Sequence, residues 1–229
     1  MGQTYFTRDS FKFLSELKSH NTKAWFEGNK ERYETGLRQP ALQLVSDLAP
    51  TLAAISTHFV VDPRPNGGSL SRIHRDTRFS KDKSPYKTGL FFHFHHRDGR
   101  NEASPGFYLH VAPGGSRVGG GVWRPQSTAL QAIRLAIATQ PDAWTKTKPK
   151  TASTGPGYMM IGDSLKAVPR GFDREHVYAE DLKRKDFGMS WSMTDATLLG
   201  GDLVGELGNK FKAVAPFVVF ICKAVGLGW

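Results

Sequence analysis

Arg72, Arg75 and Arg78 stand three residues apart inside the stretch Arg72-Ile-His-Arg-Asp-Thr-Arg-Phe-Ser-Lys-Asp-Lys-Ser-Pro-Tyr-Lys87. Six cations against two carboxylates give these sixteen residues a net charge of +4. A turn does not need three guanidinium groups, whereas an anion site does, because planar forks of N–H donors grip phosphate or carboxylate oxygens two at a time. The expected site uses Arg72, Arg75, Arg78 and Lys83, with Lys87 adjoining, as the clamp. Asp76 would orient an arginine, and Tyr86 would donate a proton or a hydrogen bond. If a reaction occurs, these fixed charges would stabilise an anion developing in a transfer or hydrolysis step.

Two other readings use the same residues. Asp76 and Asp82 can pair with the arginines and staple the loop to the core. The rings of Phe79 and Tyr86 can stack on a base or sugar, which with the cations describes a nucleic-acid-binding module. For Phe79 the expectation is burial as an anchor for the loop. In a strand, Arg72 and Arg75 point to opposite faces. The strand is therefore expected to end near Arg75, with residues 76–86 curling back so that Arg75, Arg78 and Lys83 can converge.

Arg-x-x-Arg-Asp-x-Arg-Phe followed by Asp-Lys-x-x-Tyr resembles the signature of the DUF2461 family. Arg72, Arg75, Asp76, Arg78, Phe79, Asp82, Lys83 and Tyr86 fall on it. The resemblance extends through Pro105–His110, Pro113–Ser116, Gly119–Trp123 and Pro169–Phe172, and so over nearly the whole chain. It brings no particular reaction with it. It does mark His110 as a candidate catalytic residue or active-site wall, and Arg170 as a further ligand-binding cation.

His93, His95 and His96 lie on one expected strand. His93 and His95 share a face, a geometry open to a metal or a proton relay. Asp98 in the following turn is the nearest carboxylate, and the resemblance does not require these histidines. The expectation is metal-free chemistry, with no cofactor predicted. Gly114-Gly115 reads as a tight hairpin. Gly119–Gly121, leading into Trp123 and Arg124, reads as a floor under a ligand, since the phosphate-loop and dinucleotide patterns are absent. Trp25 and Asn29 are further candidates to reach the site, with packing the default for Trp25. No nucleophile elbow and no zinc-protease helix motif occurs.

The elements that must hold these residues follow from periodicity. Thr7 caps a helix with Phe11, Leu14 and Leu17 on one stripe. Asn21 or Thr22 caps a second helix, which Pro40 breaks or kinks, and Leu44, Leu48 and Leu52 carry a helical pattern to about Ala54. Residues 58–61, 70–74, 88–96, 106–111 and 116–123 alternate like strands, and the last three follow one another without helices. That order argues for an antiparallel meander. A helix follows Pro125, residues 145–157 form a polar mobile loop, and 165–169 is extended. Residues 180–185 are helical, 186–193 extended, and one or two helices close the chain from 201 to 225. The fold class is α+β. One domain spans 1–229, helical over 7–55, mainly β over 57–123, mixed over 124–195 and helical over 200–226.

A net charge of +10 on 229 residues favours acidic partners. An anionic small molecule is the first expectation and nucleic acid the alternative. A structural or partner-binding protein is the third. The single cysteine, Cys222, excludes an intrachain disulfide and sits in an apolar helical run, as a buried thiol would. The basic runs at Lys146, Lys148, Lys150 and Lys183–Lys185 read as solvated surface. The first residues have no apolar leader, and the longest apolar run, 214–221, is too short to span a bilayer. These features read as a cytoplasmic protein with no membrane association. Oligomeric state leaves no mark in the sequence.

Overall fold

The computed structural model describes residues 3–99, 104–148 and 157–229. At the N-terminal end, Thr7 Oγ1 accepts the Ser10 N–H and Ser10 Oγ accepts the Thr7 N–H. This reciprocal cap starts α1 (Arg8–Ser19), which buries Phe11, Phe13, Leu14 and Leu17. Thr22 caps α2 (Lys23–Gly28). The expected second helix then breaks twice. Asn29 separates α2 from α3 (Lys30–Tyr33), and a π-helical turn over Glu34–Arg38 leads into α4 (Gln39–Ile55). In an α-helix the Gly36 carbonyl would receive the N–H of residue 40, which is proline and has none. Ser10 Oγ donates to that carbonyl instead, at 2.7 Å.

Among the described residues five antiparallel strands form the sheet: β1 (Leu90–His95), β2 (Gly106–Val111), β3 (Arg117–Val122), β4 (Met159–Ile161) and β5 (Phe187–Ser192), in the order β1-β2-β3-β5-β4. The expected meander is β1-β2-β3. Gly114, at φ +65°, turns β2 into β3. The expected strands at 58–61 and 70–74 are single bridges, Phe59 to His96, Leu70 to Phe92 and His74 to Tyr86. β4, only three residues long, was not legible as a strand.

Register sorts the sheet's two faces. Phe92, Phe94, Phe107, Leu109, Val118, Met189 and Trp191 share one, and all are buried. The other carries Phe91, His93, His95, Tyr108, His110, Arg117 and Ser190. The apolar face receives α9 (Leu203–Ala224), whose main sheet contact is β3, and α4 and α5 (Ser127–Thr139) both pack on α9. The short helices α6 (Pro141–Thr145), α7 (Ala179–Leu182) and α8 (Asp195–Leu198) complete the helical side. Cys222 is fully buried, and desolvation pushes its thiol up to about 12. The expected mobile loop at 145–157 falls largely on residues 149–156, outside the described residues. Among the described residues no helix is long and apolar enough to cross a membrane.

Gly120 sits where α9 crosses β3. A Cβ there would lie 2.8 Å from Val218 Cγ2 and 3.1 Å from Val214 Cγ1. Both neighbours are β-branched and stiff. Gly120→Ala is therefore expected to destabilise the fold by about 1–3 kcal/mol, measured by urea unfolding. Gly115→Ala, where a Cβ meets nothing closer than 4.0 Å, serves as the control and should lose nothing.

Candidate functional site: the basic loop before the first strand

The segment 72–87 leaves the single bridge at Leu70, runs out, and returns to enter β1. Its base is closed by the Arg75 N–H on the Pro85 carbonyl and the Lys87 N–H on the Ile73 carbonyl, both 2.8 Å. Asn21, just before α2, clamps the returning strand from the side. Its Nδ2 donates to the Tyr86 carbonyl (2.9 Å) and its Oδ1 accepts the Tyr86 N–H (3.0 Å). The Tyr86 ring stacks on Phe26 at 4.1 Å and 21°. It is buried, and burial raises its pKa. The loop curls back as expected, with Tyr86 as its hydrophobic root.

Inside the loop each of the central cations has an internal partner. Arg75 Nη1 donates to Asp82 Oδ2 (2.5 Å) and the Ser84 carbonyl (3.2 Å), and Nη2 to Ser80 Oγ (3.4 Å). Asp82 Oδ1 also accepts the Ser84 hydroxyl and N–H, at 2.6 and 2.9 Å. The Ser84 donors first, and Arg75 after them, hold the Asp82 carboxyl down at about 2. Arg78 grips Asp76 through Nε and Nη2, the latter at 2.7 Å, and holds its carboxyl at about 2 as well. Lys83 Nζ donates to the Thr77 carbonyl at 2.9 Å.

The tip differs from the expectation. Phe79 is 96% exposed and anchors nothing in the core. Tyr86, Asn21 and Arg75 already fix the loop at its base, so the tip has no surface to pack on. Arg78 lies 5.9 Å from the centre of the Phe79 ring. Arg72, Lys81 and Lys83 are exposed around it.

The other sequence candidates are placed elsewhere. His110 is on the sheet's polar face beside Gly89, where a Cβ would come 2.8 Å from its Nε2. Burial first, then Arg117, lowers its pKa. Among the described residues no hydrogen bond or ring contact joins any two of Asp76, Tyr86 and His110. Arg170 lies in the connection between β4 and α7 and is exposed. Trp25 packs on Phe13 at 5.5 Å, and Asn29 Nδ2 donates to the Trp25 carbonyl. The three glycines read as a ligand floor divide between the faces: Gly120 meets α9, while Gly119 lies under the Tyr108 hydroxyl. The basic runs are less solvated than expected. Lys148 and Arg184 both pair with Asp181, which also accepts the Trp144 indole N–H at 2.7 Å. Lys183 pairs with Glu180, and Lys150 lies outside the described residues.

The histidines split as well. His93 and His95 stay on the polar face, ring centres 5.8 Å apart, and burial, then His95, lowers His93 to about 4. His96 turns to the other side and stacks on His58. Sequence reasoning missed His58 altogether. It stands 38 positions away, so no spacing motif could find it. Ser190, fully buried with no hydrogen-bond partner for its Oγ, gave no signal either. A cleft of about 380 Å³ between α5, α6 and α9, lined by Ala136, Gln140, Pro216, Phe220 and Lys223, includes none of the predicted site residues.

Two outcomes separate holding residues from free ones. Arg75→Ala removes a half-buried fork with three acceptors and is expected to lower stability by about 1–2 kcal/mol in urea unfolding. Arg78→Ala, on an exposed pair, should leave the midpoint unchanged. Asp82 is depressed to about 2, against about 3.9 when unfolded. Its stabilisation is therefore complete above roughly pH 4 and is lost as pH falls toward 2. Between pH 5 and 2 the thermal midpoint of the wild type should fall more steeply than that of Asp82→Asn.

A family model described as conserved hypothetical protein (DUF2461) matches residues 9–220. No curated protein and no solved structure matches the chain. The family match takes in the basic loop, the whole sheet and nearly all of α9, and on that extent the chain belongs to the DUF2461 family.

Proposed function

We propose that the basic loop is a docking point for single-stranded nucleic acid, with Phe79 as the surface on which a base stacks. The supporting observation is the 96% exposure of Phe79 at the tip of a loop with six cations. Strand-binding proteins combine these two elements, cations along a phosphate backbone and an aromatic face that accepts any base. The cations divide by what they would give up. Arg78 would exchange an exposed pair with Asp76, which costs little, and Arg72 and Lys81 are exposed. Arg75, committed to Asp82, Ser84 and Ser80, keeps the loop in shape. A net charge of +10 adds long-range attraction for a polyanion. The reading needs no cofactor and suits a cytoplasmic protein.

A second reading keeps the same cations for a phosphate- or carboxylate-bearing small molecule. It is favoured by the planar Arg78 fork, whose exposed pair with Asp76 can be exchanged for a single bidentate oxyanion. An open ledge serves a polymer better, because small-molecule sites are concave and bury most of their ligand.

Fluorescence anisotropy with a labelled oligothymidylate, titrated at several salt concentrations, tests the choice. For three phosphate contacts the logarithm of affinity should fall with the logarithm of salt at a slope of about −2. Phe79→Ala is expected to weaken binding by about 1–3 kcal/mol, and Arg78→Ala to flatten the slope by about one half to one. One-to-one saturation by a mononucleotide, with a shallow salt response and no effect of strand length, would favour the second reading. No binding of either probe would sink both.

A further inference from the structure

The turn after β1 brings together three metal-ligating side chains from two distant segments. We propose that His58, His96 and Asp98 bind a zinc-class divalent transition-metal ion beside Gly228. One donor atom from each lies within 4.8 Å of the others. Asp98 Oδ2 is 4.0 Å from Nδ1 of both histidines.

Three observations carry the assignment. The first is the state of His96. Its Nε2 lies 3.0 Å from the Gly228 carbonyl, which can only accept, so Nε2 carries the proton. The lone pair is then on Nδ1, on the side of His58 and Asp98. A ligating histidine usually has its second nitrogen tied to a carbonyl or carboxylate in this way. The second is His58, whose Nδ1 is buried with no hydrogen-bond partner. A buried nitrogen left unpaired is costly, and a metal bond would satisfy it. The third is the backbone, which holds the two rings in place. The Arg97 N–H bonds the His58 carbonyl at 2.8 Å, and Phe59 bridges to His96. Gly228 is part of the fit, since a Cβ there would come 2.9 Å from His58 Cε1.

Two imidazoles and one carboxylate select for zinc and its neighbours, and against magnesium and calcium, which take oxygen donors. A tetrahedral zinc with bonds of about 2.0–2.2 Å needs its donors about 3.4 Å apart, so Asp98 must close in from 4.0 Å and the partly exposed His58 ring must turn toward His96, within a set now bounded by 4.8 Å. Asp98, with 63% of its side chain exposed, is free to swing in. The Asp98 N–H now rests on His96 Nδ1 at a long 3.2 Å and would yield that lone pair to the ion. Arg97, the nearest cation, is turned onto the Thr57 carbonyl. Three protein donors leave a further position for water or an outside ligand.

The test uses the full chain, free of any histidine tag. Zinc chloride is titrated calorimetrically, and cobalt chloride is titrated with the visible absorption spectrum as readout. One ion per chain is expected, with a cobalt spectrum of low coordination number. Asp98→Asn and His58→Asn should each lose at least about tenfold in affinity, while His93→Asn on the opposite face should lose none. Should His58→Asn fail to fold, the exposed Asp98→Asn still decides. No uptake, uptake unchanged in Asp98→Asn, or uptake lost in His93→Asn overturns the assignment.

Discussion

The close approach of helix and sheet at Gly120 sets the architecture. α9 lies on the middle strand of the meander, and the missing side chain at 120 lets Val214 and Val218 reach the backbone of β3. α4 and α5 lie on α9 rather than on the sheet itself, so the helical layer is assembled through that one helix. β1 in turn is an outer strand whose free edge is covered by short backbone contacts. The N–H groups of Val60, Ser71 and His93 bond the carbonyls of His95, Phe91 and Ser69. These bonds blunt an edge that would otherwise invite pairing with another chain. They also fix where the basic loop begins.

That loop shows how a charge-dense segment can be rigid at its base and available at its tip. The carboxylates Asp76 and Asp82 each engage an arginine, yet the two pairs differ in kind. Arg75 lies with three-quarters of its side chain covered, and its donors reach two main-chain or hydroxyl acceptors besides Asp82. Arg78 is 77% exposed, and its hydrogen bonds go to its near neighbour Asp76. The first arrangement resists exchange because removing the arginine would strand several acceptors. The second is a solvated pair worth little to the fold. A half-buried staple and an exposed, exchangeable pair therefore coexist in one signature, and they use different arginines.

Fold class was legible in the sequence because local rules decided it. Thr7 and Thr22 announce their helices, the three successive alternating runs announce a meander, and Gly114 marks its turn. The breaks around Asn29 and Pro40 were only partly legible. Proline predicts a lost hydrogen bond, but the serine that replaces the donor comes from another helix. The site was legible as a cluster of residue types and not as an arrangement. Nothing in the order of residues says that Arg75 rather than Arg78 turns inward, since that depends on where Ser80 and Ser84 fall once the loop has closed. Phe79 was misjudged for a related reason: apolar character argues for burial, yet burial needs a surface within reach, and the loop points its tip away from one. His58 and His96 meet through a bridge between segments far apart in sequence, beyond any local pattern.

Both features of interest hang on β1. The basic loop enters it at Leu90 and the His96–Asp98 turn leaves it after His95. Six residues of strand span roughly 20 Å, against a Debye length of about 8 Å at physiological salt. An ion held by His58, His96 and Asp98 would therefore barely alter the field at Arg72 or Arg78, and an anion at the loop would barely alter metal affinity. Coupling between them, if any, must pass through the strand's position in the sheet. β1 is held on one side by its full register with β2, from Leu90–Val111 to His95–Gly106, and on the other by the edge bonds. A strand tied on both sides has little freedom to shift, so what happens at the loop on one end should leave the turn on the other unaffected.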